Sequence, residues 1–336
     1  MMNKGFIKNL CTLCALVISF NSISSDKEIT VYSSRTAHLI EPLLDAFTKD
    51  TGIKAKLLTG DGNALIERIK LEGESSHADI FMTVDAGNLW YAGSQDIFQP
   101  MKSETVNSNI PNHLRDPGNL WTGLSVRART IVYSTERVNA DELSTYEDLA
   151  SKKWKGRLCL RTSKKIYNKS LVASLIHHLG EEAAGKVVEG WVNNLATSPH
   201  SKDSKVMEAI MAGQCDVGIV NTYYYLDQMK KTPNAQLKLF WPNQKTTGVH
   251  VNISGAGIVK HSKHIKESQQ LIDYLTGIKA QQIYMSLNSE YPANPHVKSV
   301  NLDRDLGTFN QDKMNLSQTG VLQSEAVKLM LRKKYK

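Results

Sequence analysis

No segment of this chain reaches the roughly 18 consecutive apolar residues that a membrane-spanning helix needs, and the apolar run from Leu10 to Phe20 is well short of it. Cysteine is scarce, with four in 336 residues, so the fold is not a disulfide scaffold. There is no Gly-x-Ser-x-Gly elbow, no His-Glu-x-x-His helix and no Walker loop, and Gly60-Asp61-Gly62 lacks the remaining glycine of a dinucleotide fingerprint. These absences argue against the commonest hydrolases, zinc proteases, nucleotide triphosphatases and nicotinamide enzymes, and the chain is read as not an enzyme. The net charge of +8 is spread along the whole chain, with no basic tract of the kind nucleic-acid binders concentrate. No repeat, low-complexity stretch or Pro-rich linker interrupts the sequence.

What is present fits an ordinary globular protein: 41% hydrophobic and 22% charged residues, in a chain long enough for two domains. The beginning reads differently. Lys4 and Lys8 precede the apolar run, and Ser22 and Ser24 follow at the −3 and −1 spacing of a signal-peptidase site, so residues 1–24 are expected to be a cleaved signal peptide. Cys11-x-x-Cys14 would leave with it. Cys159 and Cys215 would then sit in an oxidising compartment, where a disulfide between them is favoured over two separate buried thiols.

From Glu28 onward, strand and helix alternate: strand 29–32, helix 38–49, strand 53–58, helix 63–72, strand 78–84, then a helix capped by Asp85. That succession argues for an α/β sheet. Ligands on such sheets gather beyond the carboxyl ends of the strands, which places Ser33, Ser34, Arg35, Gly60, Asp61 and Thr83 to Asp85 around one mouth. A second run of the same kind starts near Arg157, with a strand at 157–160, helices at 170–179 and 181–194, and a strand at 217–220. Two long apolar segments, 123–133 and 248–259, are candidate crossovers between two lobes.

The strand at 217–220 runs into Asn221-Thr222-Tyr223-Tyr224-Tyr225. Neighbours on an extended chain face opposite ways, so at least one phenol should look into the cleft. With an ordinary pKa near 10, a phenol becomes a ligand only for a strongly acidic cation. Fe(III), small, hard and suited to anionic oxygen, is such a cation. A strand-edge aromatic cluster is the alternative reading of the triplet alone. His177 and His178 occupy adjacent helical positions that face apart and do not share a metal.

Ordered motifs extend this reading. They are Val31-Tyr32-Ser33-Ser34-Arg35, Ala78-Asp79-Ile80, Thr83-Val84-Asp85, Leu124-Ser125-Val126-Arg127-Ala128-Arg129, Trp154-Lys155-Gly156-Arg157, Ile166-Tyr167-Asn168-Lys169, Asn221-Thr222-Tyr223-Tyr224 and Glu290-Tyr291-Pro292-Ala293-Asn294-Pro295. Over nearly all the sequence after the leader, the chain resembles the periplasmic ferric-iron-binding proteins of bacterial ABC importers. The resemblance implies a two-lobed type II periplasmic binding protein fold, transferrin-like, each lobe a mixed or mostly parallel sheet flanked by helices, with two hinge crossovers. Residues 25–126 and 248–295 would form the first lobe, and residues 127–247 and 296–336 the second. It implies a monomer exported to the periplasm that delivers Fe(III) to an inner-membrane permease, with Tyr167, Tyr223 and Tyr224 as metal ligands. Arg127 would sit beside the metal, and Arg35, Ser34 and Thr36 would hold an anion or form the surround.

Two departures stand out. Where many relatives place His and Tyr after Ser-Ser-Arg, this chain has Thr36 and Ala37. Asp227 stands where some relatives have an arginine, and Val84 where another branch has a glutamate. Carbonate or water would complete the coordination, and His38 is a further candidate ligand, against a capping or surface role. The competing function is binding of a small anion without metal, by Ser33, Ser34, Arg35 and Arg127.

Overall fold

The computed structural model describes residues 27–336, so the expected leader at 1–24, with Cys11 and Cys14, lies outside the described residues. The first elements are β1 (Glu28–Ser33), α1 (Glu41–Thr51), β2 (Lys54–Thr59), α2 (Gly62–Glu72), β3 (Ile80–Val84) and α3 (Ala86–Ser94). Local chemistry sets several of their ends. Gly52, at φ 75°, closes α1 in the left-handed conformation that glycine adopts without strain. Asp61 opens α2 by accepting from the amides of Asn63 at 3.0 Å and Ala64 at 3.1 Å. After α4 (Glu104–Asn109) comes β4 (Thr122–Ser134), buried along its whole length.

The chain continues through β5 (Leu158–Cys159), α5 (Ile166–Asn194), α6 (Asp203–Met211), β6 (Val217–Asn221), α7 (Thr222–Lys231), β7 (Leu237–Phe240) and β8 (Val251–Ile258). It ends with α8 (Ile265–Thr276), α9 (Ile278–Asn288), β9 (Tyr291–Pro292), α10 (Val300–Leu306), α11 (Ser317–Val321) and α12 (Gln323–Arg332).

Strand β4 belongs to two sheets. Its first half, from Thr122 to Ala128, pairs antiparallel with β8, with Arg127 opposite Asn252. Its second half, from Arg129 to Tyr133, pairs antiparallel with β6, with Arg129 opposite Asn221. The sheet order is β2-β1-β3-β8-β4-β6-β5, with β7 and β9 also on β4. β1 is parallel to β2 and β3, and β5 to β6, while the pairs made by β4 and β8 are antiparallel. Each lobe is therefore mixed, because the two long crossover strands enter the sheets against the α/β direction. Close approach of β8 to β4 requires glycine: a Cβ on Gly255 would lie 2.4 Å from the Thr122 carbonyl oxygen.

The cores follow the sheets. One gathers β1, β3, α1 and α8 around Phe47, Phe81 and Trp121. A second packs α5 and α12 around Trp154 and Trp191. A third, smaller core lies on the other face of β6 and includes Cys159 and Cys215, which the structure joins in a disulfide with Cα atoms 5.9 Å apart.

One local reading holds and one changes. The two helices expected at 170–179 and 181–194 are found within the span α5 on either side of Gly180, whose φ of 77° and ψ of 163° break the helical path. The tyrosine triplet, read as extended, occupies the first turn of α7. Three aromatics after a β-branched threonine carry a weak helix preference, and Asn221 in the extended conformation at the N-cap starts the helix nonetheless.

Candidate metal centre

The helical start of α7 decides where the three phenols go. Tyr223 and Tyr224 lie ring against ring, centroids 4.3 Å apart. Tyr225 turns toward the third core, and its hydroxyl donates to the Leu237 carbonyl at 3.3 Å. Tyr167, the second residue of α5, comes from 56 positions away to meet Tyr223, whose hydroxyl donates to the Tyr167 oxygen at 3.3 Å. Asn221 Nδ2 donates to the Tyr223 oxygen at 3.2 Å.

Cations surround this group. The guanidinium carbons of Arg127 and Arg161 lie 5.6 and 5.5 Å from the Tyr167 ring centroid, and Lys165 Nζ lies 4.9 Å from it. Burial pushes the Tyr223 phenol well above its ordinary pKa; the neighbouring Tyr167 and Tyr224 oxygens push the same way, and Arg127 opposes them. Burial works against the charge on Arg127, but Glu290, Tyr167, Tyr223 and Asp85 together hold it above the usual arginine value. Arg161 is likewise raised: burial opposes its charge, and Asp203 and Tyr224 support it. Such surroundings keep the proton on Tyr223 until a cation of high charge density displaces it.

Behind the phenols, Arg129 binds Asp203 at 3.0 Å, the Asn221 side-chain oxygen at 3.1 Å and the Asn168 side-chain oxygen at 2.7 Å. Asn168 Nδ2 in turn donates to the Arg161 and Thr162 carbonyls at 2.7 and 3.0 Å. A void with room for about one water molecule is lined by Arg127, Arg129, Tyr167, Asn221, His250 and Asn252. Arg127 Nε, Arg129 Nε and His250 Nδ1 are buried without a hydrogen-bond partner.

On the facing lobe, Asp85 is fully buried at φ 75°. Its carboxylate accepts from the Gly87 amide at 2.9 Å, Asn252 Nδ2 at 2.9 Å and the Ser170 hydroxyl at 2.8 Å. Ser170 lies one turn beyond Tyr167 on α5, so this contact crosses from lobe to lobe. A larger cleft of about 690 Å³ opens beside it, lined by Ser34, Asp61, Asn63, Asn88, Lys165 and Lys169 among others.

The structure thus brings Tyr167, Tyr223, Tyr224 and Arg127 together. It takes other candidates elsewhere. Arg35 spends its guanidinium on Glu290, with both contacts at 3.1 Å, and on Ser254. Ser34 is bonded to Thr83 at 2.7 Å on the wall of the larger cleft. Thr36 and His38 are exposed, and among the described residues no contact joins them to the tyrosines. Sequence reasoning passed over Arg129, Arg161 and Asp203. It took Asp85 only as a helix cap at the mouth. For Arg129 a signal existed: two residues from Arg127 on a strand, it shares that residue's face.

Residues 75–313 match the family model described as bacterial extracellular solute-binding protein. Iron uptake protein A1 of Synechocystis is 39% identical over 310 residues, covering 90% of this chain and 86% of that protein. The major ferric iron-binding protein of Neisseria gonorrhoeae is 30% identical over 282 residues, 81% of this chain and 83% of its own. Among solved structures, Trichodesmium FutA in complex with iron and citrate superposes with a TM-score of 0.89 at 43% identity, covering 92% of this chain and all, 100%, of that one. The ferric iron-binding protein A of Mannheimia haemolytica in an open conformation gives 0.86 at 37% identity, covering 92% and 99%.

Proposed function

The chain belongs to the bacterial extracellular solute-binding proteins and has the two-lobed fold of its type II periplasmic relatives, and from that premise we propose that it captures Fe(III) in the inter-lobe cleft through the phenolate oxygens of Tyr167, Tyr223 and Tyr224. It then hands the ion to the permease of an inner-membrane ABC importer. The protein works without catalysis as a periplasmic monomer once residues 1–24 are removed. Its lobes divide as residues 25–126 with 248–295 and residues 127–247 with 296–336.

One observation carries this reading. Two phenol oxygens 56 residues apart in sequence approach to 3.3 Å, with a third phenol ring tilted against one of them at 43°, in a setting that disfavours a lone phenolate at Tyr223 and supplies permanent positive charge from Arg127. Three phenolates offset the charge of one ferric ion, and lobe closure excludes water and strengthens each contact. Carbonate or water, held near Arg127, completes the coordination that Thr36 and Ala37 do not supply. The names of the relatives, which refer to iron uptake and ferric iron binding, point the same way.

The test is titration of apo protein with ferric citrate while following the visible phenolate band. Tyr167→Phe, Tyr223→Phe and Tyr224→Phe should each weaken or shift it. An unchanged spectrum in any one removes that residue from the ligand set. A colourless protein that binds a small anion tightly would replace this reading with metal-free anion binding.

A further inference from the structure

Arg129 is 2% exposed at the point where β4 passes from one sheet to the other, and its main chain is fixed on both sides. Its amide donates to the His250 carbonyl at 3.0 Å, and its carbonyl accepts from the Tyr146 hydroxyl. The side chain has four neighbours. Nη1 reaches Asp203 at 3.0 Å and the Asn221 amide oxygen at 3.1 Å. Nη2 reaches the Asn168 amide oxygen at 2.7 Å and the Ile219 carbonyl at 3.2 Å.

Asn168 directly follows Tyr167, and its other end grips the carbonyls of Arg161 and Thr162, so it fixes the loop from which Tyr167 emerges. Asn221 is the N-cap of the helix that carries Tyr223 and Tyr224, and its Nδ2 donates to the Tyr223 oxygen. Asp203 Oδ2 also accepts the Asn221 amide at 2.9 Å. One planar guanidinium therefore spans both tyrosine-bearing segments while touching neither phenol. The fork geometry of arginine allows this bridging, and the single ammonium of lysine does not reproduce it.

We propose that Arg129 is the positioning residue that sets the distance and orientation between the Tyr167 and Tyr223 phenols, by holding the asparagine beside each tyrosine segment in one buried fork. This rests on the tyrosine-ligand reading above. Asp203 anchors the fork and offsets its charge, so that the Arg129 charge is spent on structure while Arg127 faces the phenols.

The experiment compares Arg129→Lys, Asn168→Ala and a control, Arg137→Met, which breaks the pair with Asp216 at 2.7 Å away from this network. The readouts are the visible band on ferric citrate loading, the rate of iron loss to a competing chelator, and the apo Tm. Arg129→Lys and Asn168→Ala should shift the band and speed iron loss about tenfold or more, in line with loss of one or two charge-assisted hydrogen bonds. Arg137→Met should lower Tm and leave band and release rate at wild-type values. Wild-type band and release rate in both Arg129→Lys and Asn168→Ala would overturn the proposal, as would an equal band change in the control. If Arg129→Lys does not fold, Asn168→Ala decides by the same criteria. A wild-type protein with no band retires the tyrosine-ligand reading itself, a different outcome from a wild-type band that the variants leave untouched.

Discussion

A phenol crowded by other phenols and shielded from water parts with its proton only when something replaces that proton's charge several times over. Tyr223, raised by burial and by its two tyrosine neighbours, is in this position, so loading should be a proton exchange. Each tyrosine that becomes a ligand releases one proton, about three in all. In weakly buffered solution, wild type should acidify on ferric loading by more than each Tyr→Phe variant does, and equal acidification would contradict ligation by that residue. His250 offers a second test. Burial holds its ring down to about 4 from the ordinary 6.5, so the folded protein keeps it neutral while the unfolded chain protonates. Stability from this source is intact above about pH 6.5 and is lost progressively toward pH 4, by on the order of 3 kcal/mol at most. Tm measured from pH 7 to pH 4.5 should fall less steeply in His250→Gln than in wild type. The candidate tyrosines came from two signals: phenolate chemistry raised the Tyr223 to Tyr225 triplet without deciding it, and the family resemblance alone singled out Tyr167, Tyr223 and Tyr224. Arg129 offered only its place on the Arg127 face of the strand, and what it does with Asn168 and Asn221 depends on contacts across 39 and 92 positions that no local pattern encodes.

At the scale of elements, the alternation of strands and helices was readable, since apolar runs of the right length and a cap such as Asp85 are local features. The start of α7 was not, because a row of aromatics prefers strand until tertiary packing overrides it. The kink in α5 was half legible. Gly180 divides two helices in sequence, and its φ of 77° and ψ of 163° supply the backbone turn between them that the sequence alone does not specify. A Cβ there would meet nothing within 4 Å, so Gly180→Ala tests backbone strain alone. It should cost about 1–3 kcal/mol by denaturant unfolding, and no loss would mean the kink is not needed. The Cys159 to Cys215 bridge closes a loop over a sequence separation of 56. Replacing both cysteines by serine should cost about 4 kcal/mol on the chain-entropy model, measured against the disulfide form in the same titration.

For the molecule as a whole, the important contact is the one between lobes. The buried Asp85 carboxylate receives the Ser170 hydroxyl from α5 and Asn252 from the crossover strand β8. Burial raises the Asp85 carboxyl above its ordinary value, and Ser170→Ala removes a hydrogen bond to this buried group, a loss of about 1–3 kcal/mol, and should weaken closure more than folding. Iron release to a chelator should accelerate roughly tenfold with Tm little changed. A large fall in Tm with unaltered release would assign the contact to stability instead.

The two crossovers, β4 and β8, are bonded to each other from Thr122 opposite Ala256 to Ala128 opposite Val251, a two-strand ribbon inside the first sheet that ends where β4 passes to the second. Swinging the halves apart therefore need not tear this ladder; the bend falls where it ends, between Ala128 and Arg129 and just before Val251. Amide deuteration in this ribbon should be as slow in the empty protein as in the loaded one, while the amides around Tyr167 and Asp85 gain protection on loading. A ladder that survives the motion leaves the balance between open and shut to the contacts across the cleft, so a ligand that adds contacts there tips it toward the shut form.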